Sequence, residues 1–161
     1  MNLVERIDKL RALLQEVGGE VVGRKKFHKI IYLMQKKEED FSQDFKYHHF
    51  GVWSPTLSED VSLACHHNIV SESESDTGFT IKLTDPTSLN TEQGTIINTD
   101  FLHILNSLEP RELEVLSTIV YLFDNGYRNG KLRTKLIELK PKLKRHFDKG
   151  FQLAQKYYSI K

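Results

Sequence analysis

The 161-residue chain holds a single cysteine, Cys65, so an internal disulfide is excluded and so is any zinc site built on several thiolates. A lone cysteine fits a reducing compartment. Long apolar runs are also missing: stretches such as Ile119 to Phe123 fall far short of the roughly 20 residues a membrane helix needs. The opening residues Met1 to Arg6 lack the basic, apolar, small-residue order of a secretory signal, and the expected location is the cytoplasm, with no membrane partner. Neither sign of charge dominates. A formal net charge of +1 gives no global attraction to nucleic acid, and the charged fraction of 28% with 39% hydrophobic residues indicates a globular chain rather than a disordered one. The length suits one domain, 1–161, able to bury a core without disulfides or a structural metal.

What is present is mostly helical periodicity, and the expected class is mainly α within α+β. Leu3, Ile7, Leu10, Leu14 and Val17 predict an amphipathic helix over 2–17, ended by Gly18-Gly19. A second helix is predicted over 24–37, with Phe27, Ile30, Ile31 and Met34 as its apolar stripe. Arg24, Lys25, Lys26, Lys29, Lys36 and Lys37 occupy its other faces, and it contains no acid. The aromatic run 45–50 predicts a short strand, after which Gly51 permits a sharp change of direction. Ser54-Pro55 reads as an N-cap followed by proline at the first helical position, opening a helix to about His67. Ile69-Val70 and Phe79 to Leu83 predict a β-hairpin, followed by a turn-rich stretch around Pro86.

Beyond it, Ile97, Phe101, Ile104 and Leu108 predict a helix broken at Pro110. The segment 110–124 is apolar on most sides, so it is expected to be the central and most buried helix, stopped by Asn125-Gly126. A short helix over 131–139 and a last one carrying Leu143, Phe147, Phe151 and Ala154 complete the chain.

No pattern predicts catalysis, a cofactor or a metal. His48-His49 and His66-His67 are adjacent pairs, and neighbouring residues point to different faces of a strand or helix. No His-Glu-x-x-His or two-histidine-plus-carboxylate spacing occurs. Cys65 beside His66 reads as a small hydrophobe rather than an activated nucleophile. Gly18, Gly19 and Gly23 lack both phosphate-loop and dinucleotide spacing. The least ordinary feature is Gly51-Val52-Trp53-Ser54-Pro55, where the only tryptophan sits between a glycine and a helix cap. Two readings of Trp53 stand side by side: a plug in the core, or an anchor for a protein partner.

The order helix, strand, helix, hairpin is close to a winged helix, with 55–67 at the recognition-helix position and 69–83 as the wing. Two segments further resemble a known bacterial family. Lys26 to Leu33 (KFHKIIYL) and Phe50 to Asp60 (FGVWSPTLSED) are similar to the paired signatures of the Panacea or SocA-like domain and its uncharacterised YwgA-type relatives. Lys29 and Tyr32 match the lysine and tyrosine of the family's helix. Gly51, Trp53, Ser54 and Pro55 match its turn, and Asp60 matches the acidic position that follows. Val52 departs from the pattern, which commonly has proline there. The match lies mainly in 20–83, a winged-helix-like core on which the helices of 94–161 are expected to pack; Ile119 to Leu122 and Leu139 to Pro141 are more similar to the YwgA-type relatives than to the antitoxins.

The resemblance implies a non-enzymatic binding module, because such relatives include toxin-neutralising antitoxins and a protease adaptor. The expected partner is a protein of toxin or protease-substrate type, meeting the chain around Lys25, Lys29, Tyr32, Trp53, Ser54, Pro55 and Asp60. Alternatives are a DNA-binding winged-helix regulator and a small hydrolase with a scattered site. Charge placement argues against the regulator: residues 58–76 carry Glu59, Asp60, Glu72, Glu74 and Asp76 with no lysine or arginine. Basic residues gather instead on 24–37 and 128–149, a surface suited to an acidic protein.

Overall fold

The computed structural model describes residues 1–76, 78–85 and 95–161. The turn expected around Pro86 lies outside them. Helix α1 spans Leu3–Glu16 and starts with a reciprocal cap: Glu5 N–H donates to Asn2 Oδ1 at 2.9 Å, and Asn2 N–H to Glu5 Oε2 at 2.8 Å. Ile7, Leu10, Leu13 and Leu14 form its inward face. Gly18 and Gly19, with φ of 94° and 98°, then turn the chain through backbone conformations costly for other residues. They lead into β1, Glu20–Val22, a strand too short to leave a periodic signal and absent from the sequence-based expectation.

Helix α2 follows at Arg24–Gln35, then β2 at Lys46–His48, β3 at Gly51–Trp53, α3 at Pro55–His66, β4 at Val70–Ser75 and β5 at Gly78–Leu83. The expected single strand over 45–50 is thus a two-stranded hairpin. Gly51, at φ 97°, pairs with His48 across a turn of His49 and Phe50, which carries Trp53 onto a strand opposite Lys46. β1, β5 and β4 form a second antiparallel sheet in that spatial order, with Val21 opposite Ile81 and Ile81 opposite Glu72. A first strand that pairs with the far arm of the hairpin completes the winged-helix pattern, into which β2 and β3 are inserted between α2 and α3. Mainly helical α+β structure with a winged-helix-like core is therefore what the chain adopts.

The C-terminal half supplies α4 (Thr99–Ser107), α5 (Pro110–Asp124), α6 (Asn129–Leu139), a 3-10 turn (Pro141–His146) and α7 (Phe147–Tyr158). Two expectations shift here. Ile97 precedes α4 and is exposed, while Leu102 and Leu105 take the buried positions beside Phe101. Leu143 belongs to the 3-10 turn rather than to the last helix, because Pro141 restarts the chain in a tighter geometry.

α5 is central as expected: Leu116 and Ile119 are wholly inaccessible, and the helix packs against α2, α6 and α7. It shares that position with α2, where every residue from Phe27 to Met34 is buried. Of the basic residues that the pattern assigns to solvent, Arg24, Lys25 and Lys36 are exposed, whereas Lys29 is buried where α2 packs against β3 and α5. Buried residues from Ile7 to Ile160 join in one hydrophobic cluster. Polar bonds brace it as well: Lys9 Nζ meets Glu39 Oε1 at 2.6 Å in the interior, and the same carboxylate accepts from Ile97 N–H and Asn98 N–H at the start of α4.

Candidate functional site

The corner where α2 meets the β2–β3 turn gathers most of the positions singled out from sequence. Ser54 is fully buried and caps α3 by accepting from Leu57 N–H at 3.1 Å, with Pro55 at the first helical position where no N–H is needed. Asp60, also buried, accepts from Arg6 through Nε at 2.8 Å and Nη2 at 3.1 Å, and from Gln43 Nε2 at 2.8 Å. These bonds tie α1 and the loop before β2 to α3, so Ser54 and Asp60 hold the corner together from within.

His28, one position before Lys29, links α2 to this cap. Its Nδ1 accepts from Ser54 N–H at 3.1 Å, and its ring stacks on Trp53 with centroids 5.8 Å apart. Burial, with the fields of Lys29 and Arg24, pushes its pKa down to about 4. The ring is neutral at pH 7 with its proton on Nε2, facing Ser58 Oγ at 3.4 Å. In that tautomer Nε2 donates to Ser58, which leaves the hydroxyl without a base.

Trp53 is 38% exposed, so it does not plug the core. His28 lies against one side of the ring, and His48 meets it edge-on at 5.4 Å. Phe50, at the tip of the turn, is 62% exposed, and Lys25 Nζ stands 3.4 Å from its ring centre. Sequence reading passed over Phe50 because an aromatic inside a β-type run looks like any other strand residue; only the hairpin puts it at a tip.

Lys29 lies beneath this surface rather than on it, with 4% exposure. Burial lowers its pKa to about 8; Glu114 opposes that shift while Lys140 and Lys25 add to it. Lys140 comes from the end of α6, far away in sequence, and its Nζ donates to Glu114 Oε1 at 2.6 Å and to the His49 carbonyl at 3.3 Å. No local pattern marks that pair. Tyr32 lines a different cleft of about 570 Å³, beside Gln43, Tyr121 and Asp124. Its hydroxyl is buried without a hydrogen-bond partner among the described residues, and burial raises its pKa well above the ordinary phenol range. The β2–β3 hairpin thus brings Lys25 against Phe50, Lys29 beneath Gly51 and Trp53 onto β3, while Tyr32 lines a different cleft.

Among the described residues no group of three or more histidine, cysteine, aspartate or glutamate side chains is placed to hold a metal. His66 and His67 meet each other edge-on at 5.3 Å. The half-buried Cys65 has its thiol pKa raised by burial and by Glu72, the opposite of an activated thiolate. No described helix is long and apolar enough to cross a membrane.

Comparison with known proteins finds one curated relative, the uncharacterised protein YwgA of Bacillus subtilis (strain 168). It is 27% identical over 153 residues, covering 89% of this chain and 91% of YwgA. The similarity therefore includes the C-terminal helices as well as the winged-helix-like core. No protein-family model matches the chain.

Proposed function

We propose that this chain is a non-enzymatic protein-binding module of antitoxin or adaptor type, acting in the cytoplasm through the surface formed by α2 and the β2–β3 turn. One observation carries the reading: Phe50 at the tip of the β2–β3 turn and Trp53 on β3 are both exposed, with Lys25 against the Phe50 ring. Tryptophan is enriched among interface hot spots and phenylalanine at interface cores, and exposed aromatics mark such surfaces. The resemblance to the Panacea or SocA-like domain supports it, since the positions that carry that resemblance, Lys29, Gly51, Trp53, Ser54 and Pro55, line or support this corner.

The test is affinity capture from lysate of the source cells, comparing wild type with the Phe50→Ser, Trp53→Ala double variant. A specific protein retained by the first and released by the second is the expected result. Equal capture by both would remove the surface from consideration.

The DNA-binding regulator is favoured by the β1–β5–β4 sheet order and opposed by charge. The exposed residues of α3 include Glu59, Ser62, Leu63 and His66, and the wing adds Glu74. Lys82 is the one exposed lysine of the described wing, and none of the exposed α3 residues is a lysine or arginine to meet phosphate, so no sequence-specific binding is expected near physiological salt. Fluorescence titration with duplex DNA decides between the readings. Submicromolar binding lost on mutating 58–63 would restore the regulator, and binding lost on charge reversal at Lys25 and Lys29 would place nucleic acid on the proposed protein surface.

A further inference from the structure

Three lysines are buried among the described residues: Lys9, Lys29 and Lys140. Lys9 has Glu39 at 2.6 Å and Lys140 has Glu114 at 2.6 Å. Lys29 has no hydrogen bond or ion pair with any described residue, although it is more than nine-tenths buried. Burying a charge is costly enough that protein interiors supply a counter-charge, as they do here for the other two. Glu114, the acid whose field reaches Lys29, is already engaged by Lys140, and Lys140 and Lys25 both repel the Lys29 ammonium. The corner is thus short of negative charge.

The side chain of Lys29 runs under the β2–β3 turn, where a Cβ on Gly51 would sit 3.5 Å from Lys29 Cε. Lys140 holds the same turn from the other side through the His49 carbonyl. On the Lys140 side of this turn opens a cleft of about 390 Å³ bordered by Tyr47, His48, His49, Leu139 and Lys140, with Lys29 buried outside its lining. Phe50 and Trp53 are exposed on the same hairpin, so a segment with both apolar and acidic residues suits this corner better than a free ion.

We infer that Lys29 and Lys140, beneath the Gly51 turn, form an anion site that takes a carboxylate from an acidic segment of a protein docked on Phe50 and Trp53. This rests on the docking surface proposed above. The carboxylate supplies the charge that Lys29 lacks, and the aromatic rim keeps water from screening the pair. The lowering of the Lys29 pKa to about 8 by burial accords with an ammonium that a carboxylate would stabilise.

The experiment uses the full chain carrying 13C at the lysine Cε, so that each ammonium reports its own titration by NMR. The probes are a glutamate-rich dodecapeptide containing two leucines, acetate, and inorganic phosphate. The expected result is that the peptide shifts the Lys29 signal and raises its titration midpoint, and that Lys29→Met weakens peptide binding at least tenfold. Lys29→Met keeps the length of the buried chain and removes only the charge, so its fold is preserved. An unshifted Lys29 signal at saturating peptide, the absence of any peptide binding, or unaltered affinity in Lys29→Met would each overturn the site. Phosphate shifting Lys29 where the peptide does not would overturn the carboxylate assignment. If peptide binding is lost in Phe50→Ser, Trp53→Ala but unchanged in Lys29→Met, the anion site falls and the docking surface stands. If Lys29 responds to peptide and acetate while the double variant still captures its partner, the docking surface falls and the carboxylate site stands.

Discussion

Gly150 of α7 lies so close to Val115 of α5 that a Cβ at position 150 would fall 2.6 Å from Val115 Cγ1 and 3.1 Å from Ile119 Cδ1. The two helices meet where one has no side chain. Alanine normally favours a helix interior over glycine by about 0.5–1 kcal/mol, yet here it must push apart a stiff β-branched residue. Gly150→Ala is expected to destabilise the protein by a net of about 1–2 kcal/mol, the overpacking cost exceeding the propensity gain. Chemical denaturation checks this, and Val115→Ala in the same chain is expected to recover part of the loss. A stabilised Gly150→Ala would mean that α7 slides freely over α5.

Ile119 sits in the same contact from the α5 side and is wholly buried. Its truncation to alanine is expected to cost about 2–5 kcal/mol, from lost transfer energy plus the cavity left behind. A denaturation midpoint equal to that of wild type would contradict the placing of α5 at the centre.

Histidine 28 makes stability sensitive to acid. Its folded pKa is depressed to about 4, mainly by burial, from an ordinary value of 6.5, so the unfolded chain binds the extra proton first as pH falls. The contribution of His28 to stability is complete above pH 6.5, declines between 6.5 and 4, and below that window about 3 kcal/mol has been lost. His28→Asn keeps an acceptor for Ser54 N–H and removes the titration. Denaturation curves collected across this range are expected to be less pH-dependent in the variant, and parallel curves for both proteins would refute the assignment.

Lysine 29 acts at the other end of the scale. With its folded pKa lowered to about 8 by burial, the ammonium opposes folding below pH 8 and ceases to do so as pH rises toward 10.5. In the absence of ligand, Lys29→Met is expected to stabilise the protein at pH 7 by about 3 kcal/mol, and the gain is expected to vanish by about pH 10.5. A variant less stable than wild type at pH 7 would show that the amine has a partner in solution.

Glutamate 39 is the opposite case, a buried carboxylate fully engaged by Lys9 and by the backbone of Ile97 and Asn98. Burial works to raise its pKa, and these partners outweigh that effect and lower it. Glu39→Ala strands the Lys9 ammonium in the interior, and a loss of about 3–5 kcal/mol is expected. Because Lys9 Nζ also donates to the Thr95 carbonyl, amide exchange at Ile97 and Asn98 is expected to rise in step. Unchanged exchange there would separate α4 from this anchor.

Local chemistry written in the chain was enough to determine most helices and some of their ends: Gly18-Gly19 stops α1, Ser54-Pro55 opens α3, and the apolar run of 110–124 marks a helix with neighbours on several sides. Those signals act over a few residues, which is why they can be read without a fold. The small strands could not be read in this way, since three residues of β1 are strands only because β5 pairs with them. Tertiary structure alone decided the character of the candidate site. The lysine of α2 that looks solvent-facing in sequence, Lys29, becomes buried because the β2–β3 hairpin and α5 cover it. Phe50 becomes exposed because a two-residue turn lifts it clear, and Lys140 reaches the same corner from 91 residues beyond His49. Burial and counter-charge are properties of what surrounds a side chain, and these surroundings come from segments that meet only when the chain has folded.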